Sequence, residues 1–183
     1  MRDTPFKTED ITDQGVTVRL SYYTDYDNEP PWEDSYGHGP VRDVPTRQLR
    51  NNETVKRPGE RVLYTDYRND VAYLYDYQAA MKEAKKDGWN TPPYDAPNKA
   101  ERAVTADMGF LRGFLAEDWH YVTVQAEVIG ESFDVDEQYV GGFESLNNYH
   151  EEGGKDMAHE MIAAVVTERE ERAYWASRDI VTA

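Results

Sequence analysis

The 183 residues contain no cysteine, which excludes disulfides, thiolate chemistry and cysteine-ligated zinc or iron–sulfur sites. Basic side chains are also sparse: 20 Lys and Arg stand against 36 Asp and Glu, a formal net charge of −16. A field of that sign repels nucleic acid and anionic lipid, so direct partners of either kind are not expected. No apolar run reaches the roughly 18 residues that mark a membrane-spanning helix. Met1 to Asp13 lacks a basic stretch followed by an apolar one, and a soluble, cytoplasmic protein is expected. The chain has no G-x-S-x-G, no P-loop and no Gly-rich dinucleotide fingerprint. With those patterns missing, no enzyme activity, no cofactor and no metal is expected.

Aromatic residues, by contrast, are plentiful. Hydrophobic residues make up only 39%, a fraction that would suit a disordered chain, but 14 Tyr, 5 Phe and 4 Trp recur within apolar patterns. They point to one folded domain over 1–183 with a modest, aromatic-rich core. Acidity is concentrated toward the end of the chain: Glu127 to Ala183 holds 14 acids and 4 bases, −10 of the −16. This 127–183 part, strongly acidic, attracts basic surfaces over long range.

Val16 to Tyr23 alternates apolar and polar residues with the period of a half-buried strand. From 24 to 59, Pro and Gly interrupt any period, and a long loop is expected. Arg61 to Asp66 and Val71 to Tyr77, split by Arg68-Asn69-Asp70, read as a hairpin. Tyr77 to Asp87 is Ala-rich with Lys near its end and Gly88 beyond, the pattern of a helix and its stop. A second helix over 99–118 carries Ala103, Ala106, Phe110 and Phe114 at helical spacing. Trp119 to Ile129 reads as a strand and Gln138 to Ser145 as its antiparallel partner; Glu151 to Ala176 reads as a closing helix. Strands at both ends with helices between and after predict an α+β fold. It has one mostly antiparallel sheet of about four to five strands, helices packed on one face, and the long Pro-rich loop.

Three groups of residues carry a resemblance. Pro31-Trp32-Glu33 leads to Gly37-His38-Gly39-Pro40-Val41; Arg57-Pro58-Gly59-Glu60 is followed by Tyr75-Asp76 and Lys86-Asp87-Gly88-Trp89; Trp119 to Val124 is followed by Gly141-Gly142-Phe143-Glu144-Ser145. In this order they resemble a family of small acidic proteins encoded by tailed bacteriophages and prophages, over about residues 16 to 165. The resemblance implies a setting, phage infection of a bacterial cell, and carries no activity or catalytic residue.

The candidate partner-binding residues are carboxylates: Glu131, Asp134, Asp136, Glu137, Glu144, Glu151, Glu152, Asp156 and Glu160. In an extended segment Asp134 and Asp136 project to one side about 6 to 7 Å apart. On the last helix Glu152, Asp156 and Glu160 fall at i, i+4 and i+8, neighbours about 5 to 6 Å apart. Those steps approximate the spacing of phosphates along a DNA strand. Like charges so placed cost a helix a few tenths of a kcal/mol, so either a partner uses the row or it is a solvated face.

His38, near Glu33 and Asp34, offers a metal or general-base reading, but ligands at regular spacing are missing, and a tight turn with His38 packed on Trp32 is the plainer one. His150 and His159-Glu160 are nine apart, which does not match H-E-x-x-H. Asp25 to Asp34 alternates acids and amides like a calcium loop, with Pro30-Pro31 where the sharp turn needs Gly. The tyrosines read as core or sheet-face residues, some of them interface anchors. Six bases between Arg42 and Arg61 are too few to offset −16 and bind DNA.

The expected function is a phage-encoded inhibitor without turnover. It would bind the basic nucleic-acid channel of a host defence or DNA-processing protein, as an anti-restriction or anti-CRISPR DNA mimic. The alternatives are a module that binds a host regulator or phage component through the Pro/aromatic loop, and a metal-dependent enzyme.

Overall fold

The computed structural model describes residues 4–33, 37–50, 56–87, 98–131 and 135–179. The protein is α+β, with two antiparallel sheets, of four and three strands, and four helices among the described residues. Where one domain is expected, contacts divide the chain into two compact units: a split unit, Met1–Asn28 with His120–Ala183, and an inserted unit, Glu29–Trp119.

The split unit opens with a hairpin, β1 (Lys7–Asp13) and β2 (Val16–Asp25). Asp13 pairs with Val16, so Gln14 and Gly15 form the whole turn, both with positive φ (50° and 70°). That is the primed geometry whose twist matches the flanking strands. β2 then pairs antiparallel with β6 (Tyr121–Ile129), and β6 with β7 (Gln138–Glu144), giving the order β1-β2-β6-β7. Alternation puts Val16, Val18, Leu20 and Tyr22 of β2, with Val122, Val124 and Ala126 of β6, on one face. The long helix α4 (Tyr149–Asp179) covers that face with Met157, Ala158, Met161, Ile162 and Val165. The approach is close: a Cβ on Gly154 would stand 3.1 Å from the Tyr22 hydroxyl and 3.2 Å from Val124. Beyond Arg169 every described side chain of α4 is exposed.

Unpaired at its Nδ1, His150 is buried in the first turn of α4, edge-on to Tyr22 with ring centroids 5.8 Å apart. Burial lowers its pKa below the ordinary value, Glu151 opposes the shift, and Lys7 and His120 reinforce it. The sign follows. As pH falls below about 6.5 the unfolded chain takes up the proton first, so stability present at neutral pH drains away under mildly acid conditions. His150→Leu is expected to shrink the drop in urea midpoint between pH 7 and pH 5.

The inserted unit holds β3 (Val41–Pro45), α1 (Thr46–Arg50), β4 (Glu60–Asp66), β5 (Val71–Asp76), α2 (Tyr77–Asp87) and α3 (Lys99–Leu115), with strand order β3-β5-β4. Leu63 and Tyr75 pack with Ala80, Ala84, Val104, Met108 and Leu111 of α2 and α3. Val44, Ala72 and Leu74 form a second cluster. The Asp76 carboxylate accepts from the Ala79 N–H at 2.9 Å and caps α2. The expectation of one loop over 24–59 is corrected here: β2 runs to Asp25, and β3 and α1 lie inside the stretch. Val41↔Tyr75 and Arg42↔Leu74 pairing onto β5 supplies the ladder that five short, turn-flanked residues do not announce.

Candidate functional site

The two carboxylate rows lie at opposite ends of the split unit. Glu131, at the end of β6, is bound by Arg169, whose Nε stands 3.3 Å from it and whose Nη2 also donates to the Gly15 carbonyl at 3.1 Å. With its side chain only 11% exposed, Glu131 works as a tie between α4, β6 and the β1–β2 turn. Glu137 accepts from the Gln125 amide at 2.9 Å and from the Tyr139 hydroxyl. Asp136 beside it is exposed, and Asp134 lies outside the described residues. At the other end, Glu144 closes β7 opposite Tyr121, half-buried. Glu151 accepts from Lys7 at 2.8 Å, and that ammonium holds its carboxyl below the usual range.

Glu152, Asp156 and Glu160 are different. All three are exposed on the side of α4 away from its buried stripe, and none of their side chains makes an ion pair or hydrogen bond among the described residues. Lys155 and His159 lie beside them, also exposed. Glu160 precedes Arg169 by nine residues, about 14 Å along the helix axis, so the α4 row and the Glu131 end do not merge into one strip. Charge is also divided between the units. The split unit has 20 acids and 7 bases, −13, and the inserted unit 16 acids and 13 bases, −3.

The sheet face turned away from α4 carries a second feature. Tyr23 lies opposite Thr123, and Gln125 opposite Tyr139, so these four side chains share that face. Gly141 and Gly142 together oppose Thr123, a bulge in β7 with Gly142 at φ 80°, a conformation that suits glycine. A Cβ on Gly141 would come within 2.8 Å of the Thr123 hydroxyl. Thr123 donates to Asp25 at 2.7 Å, and Asp25 also accepts from the Asn28 amide and the Asp27 N–H. Tyr23 donates to Gln125 at 3.0 Å. Around these groups is a concave site of about 260 Å³ lined by Tyr23, Thr24, Asp25, Tyr26, Asp27, Thr123, Gln125 and Tyr139. None of these is among the carboxylates read from the sequence as partner-binding; Tyr23 and Tyr26 entered there only among the tyrosines, and Asp25 and Asp27 only in the calcium-loop pattern of Asp25 to Asp34. The signal was the alternation of β2: if Tyr22 faces the core, Tyr23 faces out.

The histidines divide as well. His38 Nδ1 lies 2.5 Å from the Asp107 carboxylate, and the ring stacks on Phe110, not on Trp32. Asp107 also accepts from the Gly39 N–H at 2.8 Å and the Tyr75 hydroxyl at 2.6 Å. These bonds pin the Gly-His-Gly-Pro turn to α3, and Asp107 is far from His38 in sequence, so spacing did not reveal it. Trp32 packs on Tyr73 and Phe114. His150 is buried and His159 exposed, so the helix does not bring them together. Among the described residues no group of three or more His, Asp or Glu could hold a metal ion. No described helix is long and apolar enough to cross a membrane. Compared with known family models, curated proteins and solved structures, the chain matches none.

Proposed function

We propose that this protein acts by binding, without turnover, and that the carboxylate row of α4 occupies a basic nucleic-acid channel on a host defence or DNA-processing protein. The resemblance to phage-encoded acidic proteins gives the setting. The observation that carries the proposal is the row itself: Glu152, Asp156 and Glu160 are exposed and unpaired among the described residues, in a unit with a formal charge of −13. Glu131, Glu137 and Glu151, which sequence spacing placed on the same footing, are engaged within the unit, so the proposed surface contracts to α4 and the exposed Asp136. Charge of this kind supports fast association that weakens with salt. Trp32 and His38, two aromatic side chains of the 24–59 stretch, are packed within the inserted unit, while Tyr26 of the same stretch is exposed.

The test is charge reversal. Changing Glu152, Asp156 and Glu160 together to Lys is expected to abolish capture of a partner from a bacterial host lysate while leaving the fold intact, because these side chains are exposed and make no hydrogen bond or ion pair among the described residues. Duplex DNA added to the captured complex should displace it. If the triple variant captures the same partner, or if the partner binds equally well with DNA filling its channel, mimicry is wrong.

A further inference from the structure

The concave site on the open sheet face has the composition of a cation receptor. Two carboxylates, Asp25 and Asp27, and three tyrosines, Tyr23, Tyr26 and Tyr139, line it, and among the described residues no Lys or Arg does. Asp25 is held in place by Thr123, Asn28 and the Asp27 N–H. The Asp27 carboxylate has no hydrogen-bond or ion-pair partner among the described residues, and Glu137 adds a third negative charge through Tyr139 and Gln125. Two of the rings are strongly exposed, Tyr26 at 79% and Tyr139 at 55%. Gln125, only 8% exposed, is a buried amide on this otherwise polar face.

We propose that this site receives one arginine side chain of a basic polypeptide partner. Its volume of about 260 Å³ falls below the roughly 300–1,000 Å³ of sites for drug-sized ligands and suits a single extended side chain. Tyrosine faces attract a cation through their quadrupole. A planar guanidinium both stacks on such rings and forks onto a carboxylate, whereas an ammonium is a compact, strongly hydrated charge. Surfaces that bind nucleic acid present arginine for phosphate contact, so this inference rests on the proposed function for the partner's identity. The arginine pocket would then add a stereospecific contact to the long-range attraction of α4.

The experiment is an NMR titration of the ¹⁵N-labelled full chain with an acetylated, amidated Gly-Gly-Arg-Gly-Gly peptide, beside its lysine and citrulline counterparts. Saturable shifts are expected at the amides of Tyr23 to Asp27, Thr123, Gln125 and Tyr139. The citrulline peptide, the same shape without charge, should bind about tenfold more weakly. Asp27→Asn and Tyr26→Ala, both at exposed positions, should each weaken arginine binding severalfold with the spectrum otherwise unchanged. Shifts that spread along Glu152 to Glu160, equal binding of the citrulline peptide, or indifference to both substitutions would each overturn the assignment. The triple-Lys variant of α4 separates the two ideas: it should keep arginine-peptide binding while losing partner capture. Peptide binding that fails beside intact partner capture removes the pocket alone; the reverse result removes mimicry alone.

Discussion

Removing residues 29–119 and joining Asn28 to His120 through a short Gly/Ser linker is expected to leave a folded, cooperatively unfolding protein. β2 and β6 are antiparallel neighbours, and Asp25 at the end of one pairs with Tyr121 at the start of the other. The inserted unit therefore departs and returns at one end of the sheet, where neighbouring strands lie about 5 Å apart, and a hairpin-length linker closes the gap. Every residue of the core beneath α4, from Val16 to Val165, belongs to the split unit. What remains is 92 residues, within the range of autonomous domains. Retention of about the same arginine-peptide affinity is expected, together with a dispersed NMR spectrum and a single urea transition. A collapsed spectrum would show that the split unit depends on its insert.

The same topology explains what could be read in advance. β2, β4, β5, β6, β7 and the helices α2, α3 and α4 were legible from local signals, such as a period of two along Val16 to Tyr22 and near four along Met157, Met161 and Val165. β1 was not, since its inward positions are Lys7, Glu9 and Ile11 and only one is apolar. Its burial depends on polar partners, Tyr22 donating to Glu9 at 2.5 Å and Lys7 to Glu151 at 2.8 Å. The one local hint was Gln14-Gly15. β3 is five residues long and owes its existence to β5.

Division into two units was hidden for a different reason. Sequence neighbours look continuous, while β2 and β6 pair across more than ninety residues, and no local signal states that pairing. Net charge could be counted in advance, but its separation into −13 and −3 becomes visible only when Met1–Asn28 is grouped with the tail. Spacing of carboxylates alone could not tell Glu131, neutralised by Arg169, from Glu152, which has no such partner among the described residues. For an acidic chain, the decisive information is where the few bases are spent, and tertiary contacts decide that.

Glu60 is the carboxylate whose loss should cost most. The Arg42 guanidinium on β3 forks onto it with two bonds of 2.7 Å, reaching across the central strand β5. The Arg57 N–H adds a third at 2.6 Å, and the Glu60 side chain is 3% exposed. Glu60→Ala takes the shared acceptor from these donors and is expected to destabilise the inserted unit by about 3 kcal/mol. Removing both charges, Arg42→Met with Glu60→Leu, should recover most of that loss, because the desolvation of the pair disappears with it. Arg42 holds the carboxyl below its usual value near 4.5. A carboxylate depressed in the folded state stabilises above its unfolded value and loses that contribution as pH falls through the folded one. Wild type should therefore lose protection of the β4 and β5 amides below about pH 4.5, and the double variant should lose less of it. Hydrogen exchange on the three proteins at pH 6 and pH 4 measures both effects. Protection in Glu60→Ala within about 0.5 kcal/mol of wild type would mean that solvent reaches the pair and already screens it.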